Sequence, residues 1–87
     1  MAGDKKLFSR ILATPHEVTK DDLGRIVALL GGWVKETSNG FIFCIPGEET
    51  TTFHRPHPGK YLNGHGVRRA IKLLKLEEKF EKFEREK

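Results

Sequence analysis

The chain has 87 residues, of which 37% are hydrophobic and 32% are charged, and its formal net charge is +4. This length suits one domain with a single modest core. Cys44 is the sole cysteine, which excludes an internal disulfide and a multi-cysteine zinc site and fits a reducing cytoplasm. No apolar run approaches the ~18 residues that a membrane span needs. We therefore expect a cytoplasmic domain that does not contact a membrane.

The first third of the chain predicts two helices. Apolar residues at helical spacing between residues 5 and 13 predict a short first helix, which Pro15 ends. Thr19 can cap a second helix that carries Asp22 at its third position. An apolar stripe follows until a glycine pair at 31–32 ends this helix.

The pattern then changes to that of a sheet. Three short runs of β-branched, aromatic and alternating apolar residues, separated by tight turns, predict an antiparallel meander. The runs cover residues 33–37, 41–45 and 50–54. The second run is apolar on both faces, which predicts the central strand. Trp33, just after the glycine pair, is expected in the core.

A loop and a long helix complete the chain. Prolines and glycines predict a loop over 55–66, and the apolar stripe from Val67 predicts one final helix. Along this helix Leu76, Phe80 and Phe83 continue the stripe on a somewhat rotated line. Beyond Leu76, the rings of Phe80 and Phe83 would dock onto the first helix or onto a second chain, and the second case would allow self-association.

This order predicts an α+β fold in a single domain, 1–87. A three-stranded antiparallel sheet would have helices on one face, with a core over about 17–76 and a charged helical extension at 77–87.

The distribution of charge gives the strongest indication of function. No acidic residue occurs between Thr50 and Leu76, and all twelve carboxylates lie outside that stretch. Inside it are three histidines and six cations: His54, His57, His65, Arg55, Lys60, Arg68, Arg69, Lys72 and Lys75. Such a one-sided stretch creates a positive potential, and the commonest polyanion in a cell is nucleic acid.

Histidines within a basic stretch fit metal-independent RNA cleavage. That reaction needs a base for the 2′-hydroxyl proton, an acid for the leaving oxygen, and a cation beside the phosphate. Imidazole serves as either acid or base near neutral pH. We therefore predict His54 and His57 as catalytic residues, although they could instead only satisfy loop carbonyls. The predicted nucleic-acid ligands are Arg55, Lys60, His65, Arg68, Arg69 and Lys72.

Two further points concern ligands of this segment. His54, His57 and His65 could in principle bind zinc, but no carboxylate or cysteine in the segment completes the set, so we predict neither a metal nor a cofactor. Gly64 and Gly66 would let a phosphate approach the backbone at the start of the final helix. Tyr61 is a candidate for base stacking.

Several strings, in order between Ile11 and Leu76, resemble the HicA-type toxins of bacterial toxin–antitoxin pairs. They are Leu23–Gly32, Thr51–His57, Lys60–Gly64 and Val67–Ile71. The resemblance implies a fold like that of a double-stranded-RNA-binding domain, α-β-β-β-α, here with a short extra N-terminal helix. It also implies a ribosome-independent ribonuclease that cleaves mRNA and is neutralised by a HicB-like antitoxin protein.

The chain departs from that family at one position. The usual catalytic histidine lies in a glycine-serine-histidine motif at the start of the second strand, and the matching Ser38–Phe41 contains no histidine. Either His54 or His57, across the neighbouring strand, has taken over the role, or the protein binds RNA without cutting it. A third alternative is an interaction domain whose basic face meets an acidic protein.

Overall fold

A computed structural model describes residues 2–54 and 60–85. Its elements, in chain order, are α1 (Ala2–Ala13), a 3-10 helix (Pro15–Glu17), α2 (Lys20–Leu29), β1 (Trp33–Glu36), β2 (Gly40–Cys44), β3 (Thr51–His54), α3 (Gly64–Leu73) and α4 (Leu76–Arg85). The strands form one antiparallel sheet in the order β1-β2-β3. The predicted α+β class, with one small domain and a three-stranded sheet, is confirmed.

The start of α2 follows the predicted cap. The Thr19 hydroxyl accepts a hydrogen bond from the Asp22 N–H at 3.1 Å, and the Asp22 carboxylate accepts one from the Thr19 N–H at 3.2 Å. Two N–H groups that a helix start leaves unpaired are thereby satisfied. After α2, Gly31 has a φ of +86°, a conformation that favours glycine and ends the helix.

The helices cover one face of the sheet. A Cβ placed at Gly66 of α3 would lie against the ring of Phe53 in β3, and one at Gly24 of α2 would lie 3.2 Å from Val34 in β1. Val34 is directly opposite Phe43 in the register, and the Phe43 and Phe53 rings meet edge to face with centroids 5.3 Å apart. These residues therefore share the covered face.

The central strand is β2, as predicted. Phe41, Phe43 and the following Ile45 are buried, whereas Ile42 and Cys44 alternate with them on the other face and are only partly buried. This alternation follows from the period of two in an extended strand.

The prediction of a buried Trp33 is wrong. Its side chain is 55% exposed. In the register Trp33 is opposite Cys44, so both lie on the sheet face away from the helices.

The single final helix predicted from Val67 is in fact two helices. The first begins earlier, at Gly64, where Asn63 caps it, so the loop predicted to extend through Gly66 is shorter. It ends before Lys75, whose φ of +53° is left-handed. Leu74 and Leu76 are both fully buried, although residues two apart would point to nearly opposite sides of one straight helix that packs on a single face.

Turning at Lys75 brings α4 back onto α1. The ring of Phe8 lies 4.9 Å from that of Phe80 and 6.1 Å from that of Phe83, measured between centroids. Phe8 and Ile11 are fully buried, so the core extends beyond the predicted limits of 17–76. Of the two docking alternatives for these rings, contact with the first helix is the one observed, and self-association stays a prediction.

Candidate nucleic-acid interface

One exposed side of α3 carries four of the predicted nucleic-acid ligands. They are His65, Arg68, Arg69 and Lys72, which together form the α3 basic face. Their spacing of three or four residues places them on one side of a helix. Val67 and Ala70 on the opposite side are fully buried, and this amphipathic pattern turns the four polar side chains to solvent.

The cations of the α3 basic face lack carboxylate partners. Within residues 2–54 and 60–85, Arg68, Arg69 and Lys72 form no ion pair, whereas five other lysines and arginines do. Their pairs are Lys5–Glu84, Arg10–Asp22, Lys20–Glu36, Arg25–Asp4 and Lys79–Glu48, and Lys20 also pairs with the adjacent Asp21. The positive charge of α3 is therefore left largely unneutralised by direct contacts.

Carboxylates approach this face at one end. Arg68 and Lys72 line a surface depression of about 410 Å³ together with Glu77 and Glu78 of α4, without forming an ion pair with them. The acid-free character of the sequence stretch thus ends where α4 folds back. Of the three cations of the α3 basic face, Arg69 is the one that does not line this depression.

The proposed phosphate approach at Gly64 and Gly66 needs correction. The Asn63 side chain already accepts hydrogen bonds from the N–H groups of His65, at 2.8 Å, and Gly66, at 3.3 Å. A Cβ at Gly64 would lie 3.1 Å from Cβ of His16, and one at Gly66 would lie 2.8 Å from the Phe53 ring. Close packing against neighbouring elements explains both glycines.

Lys60 and Tyr61 lie beside the start of α2. Tyr61 forms an isolated antiparallel bridge with Thr19, and the Leu62 N–H donates to the Val18 carbonyl at 2.7 Å. Tyr61 is 45% exposed, and the Lys60 ammonium lies 5.3 Å from its ring centroid. This cation–π arrangement leaves both side chains accessible.

His54 ends β3 and is exposed on the open face of the sheet. The preceding Phe53 points to the covered face, so strand alternation turns His54 away from α3. The structure therefore does not place His54 on the α3 basic face. Directly opposite His54 in the register is Gly40, at the start of β2. The other two candidates from this segment, Arg55 and His57, lie outside the described residues.

The structure adds one histidine that sequence reasoning missed. His16 of the 3-10 helix lines a depression of about 260 Å³ with Gly64, His65 and Arg68 of α3. It lies far from the acid-free stretch in the chain and next to Glu17, so charge patterning gave no reason to select it. Only the tertiary packing of the 3-10 helix on α3 brings it there.

The described part of the chain contains neither a metal-binding cluster nor a membrane-spanning helix. In residues 2–54 and 60–85, no three His, Cys, Asp or Glu side chains cluster closely enough to hold a metal ion. No helix in these ranges has the length and apolar content to cross a bilayer.

Comparison with protein-family models, with curated proteins and with solved structures finds no match for this chain. The HicA resemblance and its double-stranded-RNA-binding fold thus stay predictions.

Proposed function

We propose that this protein binds RNA through the α3 basic face and acts in the cytoplasm as an mRNA-cleaving toxin of HicA type, restrained by a HicB-like antitoxin. The observation that supports it most is the set of exposed α3 cations without ion-pair partners in the described ranges. Phosphate backbones are bound by such cations, and binding releases counterions.

RNA is preferred to DNA as the ligand for two reasons. The element order, apart from the extra helices at each end, is the α-β-β-β-α order that the HicA resemblance implies. The sequence has no helix-turn-helix or other groove-reading signature of a DNA-binding protein. Recognition of a phosphate backbone by shape and charge is sufficient for an RNA ligand.

His54 is retained as a candidate base or acid because of its position across from the family motif. The segment Ser38–Phe41 stands where the family's glycine-serine-histidine motif would fall but contains no histidine, and Gly40 within it is paired with His54. A Cβ at Gly40 would lie 1.9 Å from the Phe53 carbonyl oxygen, so no side chain fits there. An imidazole on the neighbouring strand is the nearest replacement that this register allows.

A second candidate function is RNA binding without cleavage. It is favoured by the open-face location of His54, which separates this imidazole from the α3 basic face. In this reading the cations hold RNA and no histidine acts on it.

The binding claim is tested by salt titration of RNA affinity. Fluorescence anisotropy with a labelled single-stranded RNA should give a steep linear fall of log affinity with log salt. The variant Arg68→Gln/Arg69→Gln should lower that slope by about two phosphate contacts. The matched control is Lys6→Gln/Lys82→Gln, which removes two exposed cations without ion pairs in the described ranges and should leave the slope nearly unchanged.

The cleavage claim is tested separately on a denaturing gel of the same RNA. Fragments that accumulate with the protein but not with buffer support the toxin reading. Tight, salt-dependent binding with intact RNA would favour the non-catalytic function, and equal slopes for the two double variants would contradict binding through α3.

A further inference from the structure

The depression between the 3-10 helix and α3 contains a set of groups that RNA cleavage requires. His16 comes from the 3-10 helix, and His65 and Arg68 come from α3. We infer that these three side chains form a phosphodiester-cleaving centre. The inference rests on the proposed RNA-binding function and assigns the reaction to residues other than His54.

The backbone around this depression holds its walls in place. Gly64 allows close contact, since a Cβ there would lie 3.1 Å from His16 Cβ. Asn63 fixes the first turn of α3 through its bond to the His65 N–H. On the other wall, Arg10 donates to the Glu17 carbonyl at 3.3 Å, which ties the 3-10 helix to α1. These contacts fix the backbone positions from which the two imidazoles project.

The location agrees with the expected path of the RNA. His65 and Arg68 are members of the α3 basic face, so an RNA strand bound there passes over the depression. Arg69 faces solvent beside them and is free of ion pairs in the described part of the chain. His54, by contrast, faces away from α3. Within the described residues, the phosphate-binding cations therefore lie beside a pair of imidazoles only at the N-terminal end of α3.

The chemistry of the centre is transesterification within the RNA. One imidazole takes the proton of a 2′-hydroxyl group, and the 2′-oxygen bonds to the adjacent phosphorus atom. The bond from phosphorus to the 5′-oxygen breaks as the second imidazole donates a proton to that oxygen. Arg68 stabilises the negative charge that develops on the phosphoryl oxygens. The products are a 2′,3′-cyclic phosphate and a 5′-hydroxyl, and no water, metal or redox partner is consumed.

Glu17 lies beside His16, with a carboxylate oxygen 3.9 Å from Nε2 of His16. This distance is longer than a hydrogen bond, so Glu17 is given no part in the reaction.

The test separates cleavage from binding. His16→Ala and His65→Ala are each assayed for cleavage of a labelled RNA and for affinity to the same RNA carrying 2′-O-methyl sugars, which cannot react. Each variant should cut at least ~100-fold more slowly, because one acid or base typically contributes that much. Affinity of His16→Ala should stay within about threefold of wild type, because His16 is not part of the α3 basic face, and cleavage by His65→Ala is compared at saturating protein, because His65 belongs to that face. Added imidazole should restore part of the lost rate, an effect that a merely structural histidine would not show.

The outcomes distinguish the two proposals. Lys6→Gln/Lys82→Gln serves as the control that keeps full cleavage. If the wild type binds RNA and both histidine variants cut normally, or if the wild type binds without cutting, the cleavage centre is overturned while RNA binding stands. Loss of cleavage in His54→Ala alone would return the reaction to the open sheet face. Absence of any RNA binding by the wild type removes both proposals.

Discussion

Two sets of lysines and arginines in this chain have different surroundings. In one set, ion pairs connect different elements: Arg10 of α1 with Asp22 of α2, and Lys79 of α4 with Glu48 of the β2–β3 turn. In the other set, the cations of the α3 basic face have no such partner in the described ranges. The helix that carries them is held by apolar contacts instead, through Val67 and its neighbours.

The difference separates the charge that the fold uses from the charge left for a ligand. Exposed ion pairs such as Lys5–Glu84 contribute only about 0–1 kcal/mol each, so pairs of this kind add modestly to stability while neutralising their own charges. Burial of apolar side chains contributes about 1.5–3 kcal/mol for each large residue and holds α3 without charge. Changes to the α3 cations should therefore affect binding and leave folding largely intact.

The largest expected effect is on RNA affinity. Reversing the charge at three positions of the α3 basic face, in Arg68→Glu/Arg69→Glu/Lys72→Glu, should weaken binding at low salt by more than ~100-fold, because phosphate contacts become repulsions. The free energy of unfolding should change by less than about 1 kcal/mol, as is usual for exposed sites. Anisotropy titration and urea denaturation measure the two quantities.

The matched control for that triple reversal is Lys6→Glu/Lys35→Glu/Lys82→Glu. These three lysines are exposed and have no ion pair in the part of the chain that the structure describes. The net charge of the two variants is identical, so only the position differs. Equal loss of affinity in both would mean that overall charge, and not α3, governs binding.

A change in the packing beneath α3 should lower the stability of the fold, whereas changes to the exposed α3 cations should lower RNA affinity. Gly66→Leu forces side-chain atoms into the Phe53 ring, where even a Cβ would approach to 2.8 Å. We expect a loss of about 1–3 kcal/mol in the free energy of unfolding from overpacking. The control is Gly3→Ala, since a Cβ at Gly3 meets nothing within 4 Å. This variant should be more stable by up to about 1 kcal/mol, because alanine has the higher helix propensity.

Urea denaturation followed by circular dichroism reports both glycine variants. If Gly66→Leu were as stable as the wild type, α3 would not be seated on β3 through this contact. The conclusion that apolar packing on β3 holds the helix would then fail.

Local signals in the sequence were sufficient for much of the fold. The cap of α2 was predicted because Thr19 and Asp22 interact over three residues, and the central position of β2 was predicted because both of its faces are apolar. The break at Lys75 was missed because lysine and leucine are good helix formers and no glycine or proline marks it. The rotated apolar line beyond Leu76 was the available signal.

Long-range arrangement explains the remaining differences. Periodicity shows that Trp33 lies on one face of a strand, but it does not show whether that face is covered. For the site, helical spacing predicted which side chains α3 presents together. Their lack of ion-pair partners, and the approach of His16 to His65, depend on residues distant in the chain. Neither follows from a local pattern.

The smallest expected effect is the pH dependence of stability, which arises from the carboxylates of the ion-paired set. Burial tends to raise the pKa of Asp22, but hydrogen bonds from Thr19 and the nearby Arg10 outweigh it and hold that pKa below its ordinary value of 3.8. A carboxyl whose folded-state pKa is lowered stabilises the fold above its unfolded pKa, and this stabilisation is lost as pH falls through the folded pKa. Asp22→Asn should cost up to about 1 kcal/mol near neutral pH, as for other lost caps, and nothing at low pH.

Measuring the free energy of unfolding across pH tests this expectation, with the α3 charge-reversal variant as the comparison. The wild type should lose more stability than Asp22→Asn as pH falls below about 4. Glu48, whose pKa the hydrogen bond from Lys79 lowers, should act in the same direction when changed to glutamine. The α3 charge-reversal variant removes no native carboxylate and should follow the wild-type acid profile apart from its new glutamates. Identical profiles for wild type and Asp22→Asn would show that the pairs do not carry the pH dependence, and the division into two sets of cations would lose its thermodynamic meaning.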